Sequence, residues 1–175
     1  ELPEARRQRV IVEYSLSDLE VTALEGRELT PLFEATAKAA GNARAAFNWV
    51  SGEVARKLNE LGERFDRRRV TAGALAELIE LVEKGTISAS IAKAVFEKMY
   101  ESGRSAVDIV AAEGLAQIGD EGALLESVRA VLAANQAAVA QIRSGKAGAL
   151  GFLVGQVMKT TGGRANPTVV NELLR

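Results

Sequence analysis

Apolar residues recur every three or four positions along most of the chain, and small polar residues and glycines interrupt them at regular distances. Pro3 predicts the first turn of a helix through EARRQRVIVEY, because proline's missing N–H is not needed there. Ser17 and Glu20 form a capping-box pattern that opens a second helix. Thr30–Pro31 reads as an N-cap followed by proline at the first helical position, with Gly41 as the stop. Asn42 caps a long helix, ARAAFNWVSGEVARKLNEL, stopped at Gly62, in which Phe47, Val50, Val54, Leu58 and Leu61 form one buried stripe. Thr71 opens a helix carrying Leu75, Leu78, Ile79 and Val82 that ends at Gly85. Ser88 opens one that ends at Gly103. Ser105 and Asp108 open one that ends near Gly114. After it come helices through ALLESVRAVLAAN, AAVAQIR and GKAGALGFLVGQVMK, and Asn166–Pro167 starts a last one through TVVNELLR. No alternating β-branched run of the kind strands need is present. The expectation is an all-α protein of nine or ten helices.

Composition agrees. Hydrophobic residues make up 47% of the 175 and aromatics only 5%, a mix that packs helices through small and aliphatic side chains. The segment GLAQIGDEG (114–122) breaks the helical pattern, so the chain is expected to form two small helical domains, 1–116 and 117–175. Charge also changes sign near that point. Residues 105–135 hold five acids against Arg129, whereas 136–175 hold Arg143, Lys146, Lys159, Arg164 and Arg175 against Glu172. On a chain of net charge −1, a basic end points to an anionic partner or is ordinary solvated charge. The arginines of ERFDRRRV (63–70) leave the same two readings.

The chain has no His and no Cys, which removes disulfides, thiol nucleophiles, imidazole bases and nearly every zinc site. That fits a cytoplasmic protein. The most apolar run, ALGFLVGQVM, is too short to span a bilayer, so no membrane partner is expected. The opening ELPEARRQRV has neither an initiator Met nor an apolar signal region, which suggests a piece of something longer. GKAGALG is not a phosphate loop: its Gly-Lys comes first, and no Ser or Thr follows the Lys. No catalytic or metal-binding constellation is predicted.

The glycines of GKAGALGFLVGQVMK raise a different possibility. At about 100° per residue, Gly145, Gly148, Gly151 and Gly155 point to roughly 0°, 300°, 240° and 280°. Leu150, Leu153, Val154 and Val157 occupy another arc, roughly 80° to 180°. One helix then has an aliphatic face and a bare face. A bare face suits a tight helix–helix crossing. It also suits a flat surface for an RNA backbone or base. Lys159 borders it, and the loop TTGGRANP follows, where glycine amides, Arg164 and a helix N-terminus are suited to phosphate.

GKAGALGFLVGQVMKTTGGRANPTVVNELL resembles the end of the GatB/YqeY group. NWVSGEVARKLNE, GTISASIAKAVFEKM and EGLAQIGDE resemble its earlier motifs, in the same order, and ELPEARRQR resembles the join that follows the catalytic cradle in GatB proper. The resemblance implies the C-terminal region of GatB, the B chain of the bacterial tRNA-dependent amidotransferase: a helical bundle followed by a small tail domain of GatB/YqeY type. That family uses ATP and ammonia from glutamine to convert misacylated Glu-tRNA(Gln) or Asp-tRNA(Asn) to the amide form. The resemblance implies that ATP and magnesium belong to the cradle, with no cofactor in this region. Its partners would be tRNA and the enzyme's other two chains, the amidase GatA and the small GatC. Its role would be non-catalytic docking on the tRNA elbow around the D-loop, with Lys146, Lys159, Gly162, Gly163, Arg164 and Asn166 facing the RNA. The alternative is a structural, protein-docking module without RNA affinity. ERFDRRRV, richer in arginine than the group, is a departure.

Overall fold

Side-chain caps set most of the helix starts in the computed structural model, which describes residues 2–62, 70–118, 121–146 and 148–174. Helix α1 (Pro3–Tyr14) begins on its proline, and α2 (Asp18–Glu25) on the reciprocal Ser17–Glu20 capping box. After α3 (Thr30–Ala40), Asn42 accepts from the Ala45 amide to start α4, which spans 43–61. Thr71, Ser88 and Ser105 accept in the same way at the starts of α5 (Ala72–Glu83), α6 (Ala89–Ser102) and α7 (Ala106–Glu113). Then follow α8 (Glu121–Ala134), α9 (Gln136–Arg143), α10 (Gly148–Thr160) and α11 (Pro167–Leu173). The protein is all-α: the described residues form eleven helices and no strand.

Two details depart from the sequence expectation. Thr30 is not the cap of α3. Leu29 occupies that position and is fully buried, with its amide bonded to the Leu24 carbonyl at 2.9 Å. Burying Leu29 draws the helix start forward, so the Thr30 hydroxyl is buried without a hydrogen bond. In α4 the predicted stripe holds at Val50, Val54 and Leu58, but Phe47 is only partly buried and Leu61 is 42% exposed. A π-helical turn occupies Trp49–Val54, and its extra residue shifts the helical phase ahead of Leu61. Within it the Ser51 hydroxyl donates to the Phe47 carbonyl at 2.7 Å, a bond known to bend helices. The arginine triplet at 67–69 lies outside the described residues.

Buried apolar residues form two clusters. The first joins α1 to α7. Its rings meet edge to face, Tyr14 on Phe33 at 5.0 Å and Phe33 on Phe47 at 6.4 Å, and Phe96 is tilted against Trp49 at 5.9 Å. The second is smaller: Leu124, Val128 and Val131 of α8, Leu153 and Val157 of α10, then Ala165 and Val170. Hydrogen bonds, most of them main-chain, join the segments between them. The Gln117 amide donates to the Thr86 carbonyl at 2.7 Å and the Ile118 amide to the Arg164 carbonyl at 3.0 Å. The Ser88 hydroxyl donates to the Gly163 carbonyl at 3.2 Å.

Ion pairs tie the outside of the first cluster together. Lys93 lies 2.8 Å and Arg56 3.0 Å from Glu53, and Lys57 lies 2.6 Å from Glu97. The Lys93 hydrogen bond, helped by Arg56, holds the Glu53 carboxyl below its ordinary value of 4.5 against partial burial. At Glu97 and Glu34 burial pushes upward, but hydrogen bonds outweigh it and the net shift is again downward; the donors are Lys57 and Arg56, and Arg9 and Arg6. A carboxylate with a depressed folded pKa adds stability that is complete above its unfolded value and is lost as pH falls through the folded one. The melting temperature followed by circular dichroism is therefore expected to be flat above about pH 5 and to fall below about pH 4.5. Equal stability at pH 3 and pH 7 would remove these pairs from the account.

Candidate nucleic-acid interface

The glycine-rich segment is not one helix. α9 ends in a Schellman motif, with the Lys146 amide on the Gln141 carbonyl at 3.0 Å and the Gly145 amide on the Ile142 carbonyl at 2.9 Å. Gly145 has φ +88, the left-handed conformation this turn demands, and so belongs to a cap and not to the face of α10. Gly148, Gly151 and Gly155 do lie on α10, and all three are exposed. A Cβ added at any of them would meet nothing within 4 Å. Among the described residues, the expected packing of another helix against this face does not occur. The opposite arc behaves as predicted: Leu153 and Val157 are fully buried in the second core, and Leu150 and Val154 are partly buried.

The bare ridge has a lysine at each end. Lys146 sits in the turn before α10 and Lys159 in its last turn, roughly 20 Å apart at 1.5 Å per residue. Both are exposed, and no ion pair forms with either among the described residues. From 136 to 171 the sequence has no Asp or Glu, while Arg143, Lys146, Lys159 and Arg164 are basic. That is a local positive field on a nearly neutral chain.

The loop after α10 is arranged differently from the sequence expectation. Gly162 (φ +60) and Gly163 (φ +76) close a second Schellman motif, their amides bonded to the Lys159 carbonyl at 3.2 Å and the Met158 carbonyl at 2.8 Å. These amides are therefore not available to phosphate. The Arg164 guanidinium donates from Nε to the Thr161 carbonyl at 3.2 Å and from Nη1 to the Gly114 carbonyl at 3.3 Å. Asn166 accepts from the Thr168 amide at 2.9 Å as the cap of α11. Gly162, Gly163, Arg164 and Asn166 thus shape the end of α10 and the junction with the first cluster. Lys146 and Lys159 remain exposed, one before the first turn of α10 and one in its last.

Sequence reasoning misses Phe152. It is 49% exposed on α10, and it lines a groove of about 580 Å³ together with Asn135, Gln136 and Gln141. A signal exists: at about 100° per residue Phe152 falls at roughly 340°, beside Lys159 at roughly 320° and next to the arc of Gly148, Gly151 and Gly155. No group of three or more His, Cys, Asp or Glu that could hold a metal ion occurs among the described residues. None of their helices is long and apolar enough to cross a membrane.

Comparison with known proteins gives the family. A family profile described as the GatB domain matches residues 31–175, which takes in most of the first core, all of the second and the glycine ridge. The chain belongs to the GatB domain family. It is similar to the B subunit of the aspartyl/glutamyl-tRNA(Asn/Gln) amidotransferase of Trichlorobacter lovleyi, 45% identical over 100% of this chain and 37% of the relative. It is also similar to the protein of the same name in Geobacter sulfurreducens, 45% identical over 99% of this chain and 36% of the relative. The Carboxydothermus hydrogenoformans protein of that name is 46% identical over 100% of this chain and 37% of its own length. This GatB-domain chain therefore spans little more than a third of the curated relatives it matches.

Proposed function

We propose that the chain is the tRNA-recognising region, the C-terminal part, of the GatB chain of an amidotransferase. That enzyme converts misacylated Glu-tRNA(Gln), Asp-tRNA(Asn) or both to the amide form with glutamine and ATP. The observation that carries the reading is the open glycine ridge with a lysine at each end that has no ion-pair partner among the described residues, in a stretch free of carboxylates. Similarity along the whole of this chain to proteins named for tRNA amidotransferase supports it. Such a surface holds folded RNA by shape and phosphate contact, and the tRNA elbow around the D-loop is the part we assign to it. Lys146 and Lys159 contact phosphate directly. Gly162, Gly163, Arg164 and Asn166 hold the end of α10 in the position that lets Lys159 do so.

The region itself performs no chemistry in this reading. ATP and magnesium are assigned to the rest of GatB. It contributes proximity, seating tRNA so that the acceptor end reaches an active site elsewhere in GatB. GatA and GatC complete the assembly.

The test is tRNA binding by the intact chain across a salt series. The Lys146→Ala/Lys159→Ala double variant is expected to bind more weakly and to lower the slope of log K against log salt by about 1–2, one counterion for each phosphate that is no longer neutralised. No tRNA binding by wild type at low salt, with capture of a protein partner instead, would favour a protein-docking module. An unchanged slope in the double variant would remove the two lysines from the interface.

A further inference from the structure

Resting on that reading, we infer that Phe152 is a stacking platform for an unpaired nucleobase of the bound RNA, with the amides of the adjacent groove facing the base edge. A large apolar ring is costly to leave in water, and among the described residues Phe152 is the only aromatic of the exposed large hydrophobics. Its surroundings suit a flat partner. On the same helical face the positions four before and three after it are Gly148 and Gly155, and the position just before it is Gly151. None of the three has a neighbour within 4 Å of where a Cβ would stand, so the space along α10 on either side of the ring is open. Lys159 lies seven residues on, two turns along the same face.

The groove beside the ring adds polarity without charge. Asn135 lies at the α8–α9 turn and its amide nitrogen donates to the Val131 carbonyl at 2.8 Å, which fixes it in place. Gln136 and Gln141 are exposed on α9, and they line the same groove. Carboxamides can donate to and accept from the edge of a base. The groove is open and shallow, with about 580 Å³ of space over its floor. A protein partner would also cover an exposed ring. The stretch 136–171, with four cations and no carboxylate, favours a polyanion instead. Every base presents a π face, so stacking here adds affinity with little dependence on sequence.

The experiment measures binding of the full chain to an in vitro tRNA transcript and to a fully paired RNA duplex of similar length. Phe152→Ala is expected to weaken tRNA binding by about 5- to 100-fold, to leave the salt slope unchanged and to leave duplex binding unchanged. Phe152→Trp is expected to keep affinity, and its added indole fluorescence, read above that of the single native Trp49, is expected to be quenched by tRNA and not by duplex. Phe152→Ala binding as tightly as wild type, while the lysine double variant binds weakly, overturns the inference and leaves the proposed function standing. Wild type that binds no tRNA overturns both. Should Phe152→Ala lower the melting temperature, the decision passes to the tryptophan variant, and unquenched indole in the tRNA complex overturns the inference.

Discussion

Leu153→Ala is expected to unfold the second core while the first remains folded. Leu153 is fully buried, and the cluster it joins has only seven buried residues among those described. Truncating a buried leucine costs about 2–5 kcal/mol, the transfer of its methyl groups plus the cavity left behind. Small domains have total stabilities near the bottom of the ~5–15 kcal/mol range, so the loss is a large fraction of what holds α8, α10 and α11 together. The first core does not share this residue. Its link to the second runs through Gln117, Ile118, Arg164 and Ser88, by hydrogen bonds and not through a common apolar cluster. Hydrogen exchange should show amides of α8 to α11 losing protection while those of α3 to α6 keep theirs. Leu78→Ala, in the first core, should give the reverse order. If either variant lowered protection evenly in both regions, the two clusters would be one cooperative unit.

Local punctuation was the most legible part of this fold. Ser17, Asn42, Thr71, Ser88, Ser105 and Asn166 each cap the helix that their position before an apolar run predicts, because a side-chain oxygen reaching the N2 or N3 amide is a contact within a few residues. The aliphatic arc of α10 was legible for the same reason. Three features were not. Gly145 has the same side chain whether it lies on a helix face or in a left-handed cap, and only the Schellman bonds from 145 and 146 decide between them. The fate of the Gly162 and Gly163 amides depends on where α10 ends, and the partners of Arg164 lie as far away as Gly114. The reach of Arg164 to Gly114 is a tertiary fact with no periodicity to betray it. Leu29 displaced Thr30 as the cap of α3 because burial of a leucine outweighs one exchanged hydrogen bond. At the candidate site, Lys159 is named from its place beside the glycine arc and Lys146 from the family resemblance, and the structure finds both side chains exposed. Phe152 was harder to read because an aromatic in a helix is usually core, and its place beside the bare arc and Lys159 is the sign that it is not.

Gly151→Glu/Gly155→Glu is expected to raise the stability of the second core and to weaken RNA binding on the order of 100-fold together. Glycine within a helix costs about 0.5–1 kcal/mol relative to alanine, so these two cost roughly 1–2 kcal/mol. Nothing among the described residues lies close enough to require the missing side chains. Gly151→Ala/Gly155→Ala should therefore recover about 1–2 kcal/mol as a higher melting temperature, and the glutamate pair somewhat less. A packing role within the chain predicts the opposite sign, destabilisation by any added side chain. At an RNA surface the two pairs should diverge. Alanine adds only a methyl to the ridge and tests how closely the backbone must approach. Glutamate puts two negative charges between Lys146 and Lys159, and like charges facing one another cost several kcal/mol, on the order of a 100-fold loss of tRNA affinity. Binding by the glutamate pair at wild-type strength would show that RNA does not lie on α10, whatever the lysine variants do. A stabilised fold with binding lost would show that the two glycines are kept at a cost to the helix for the sake of what rests on it.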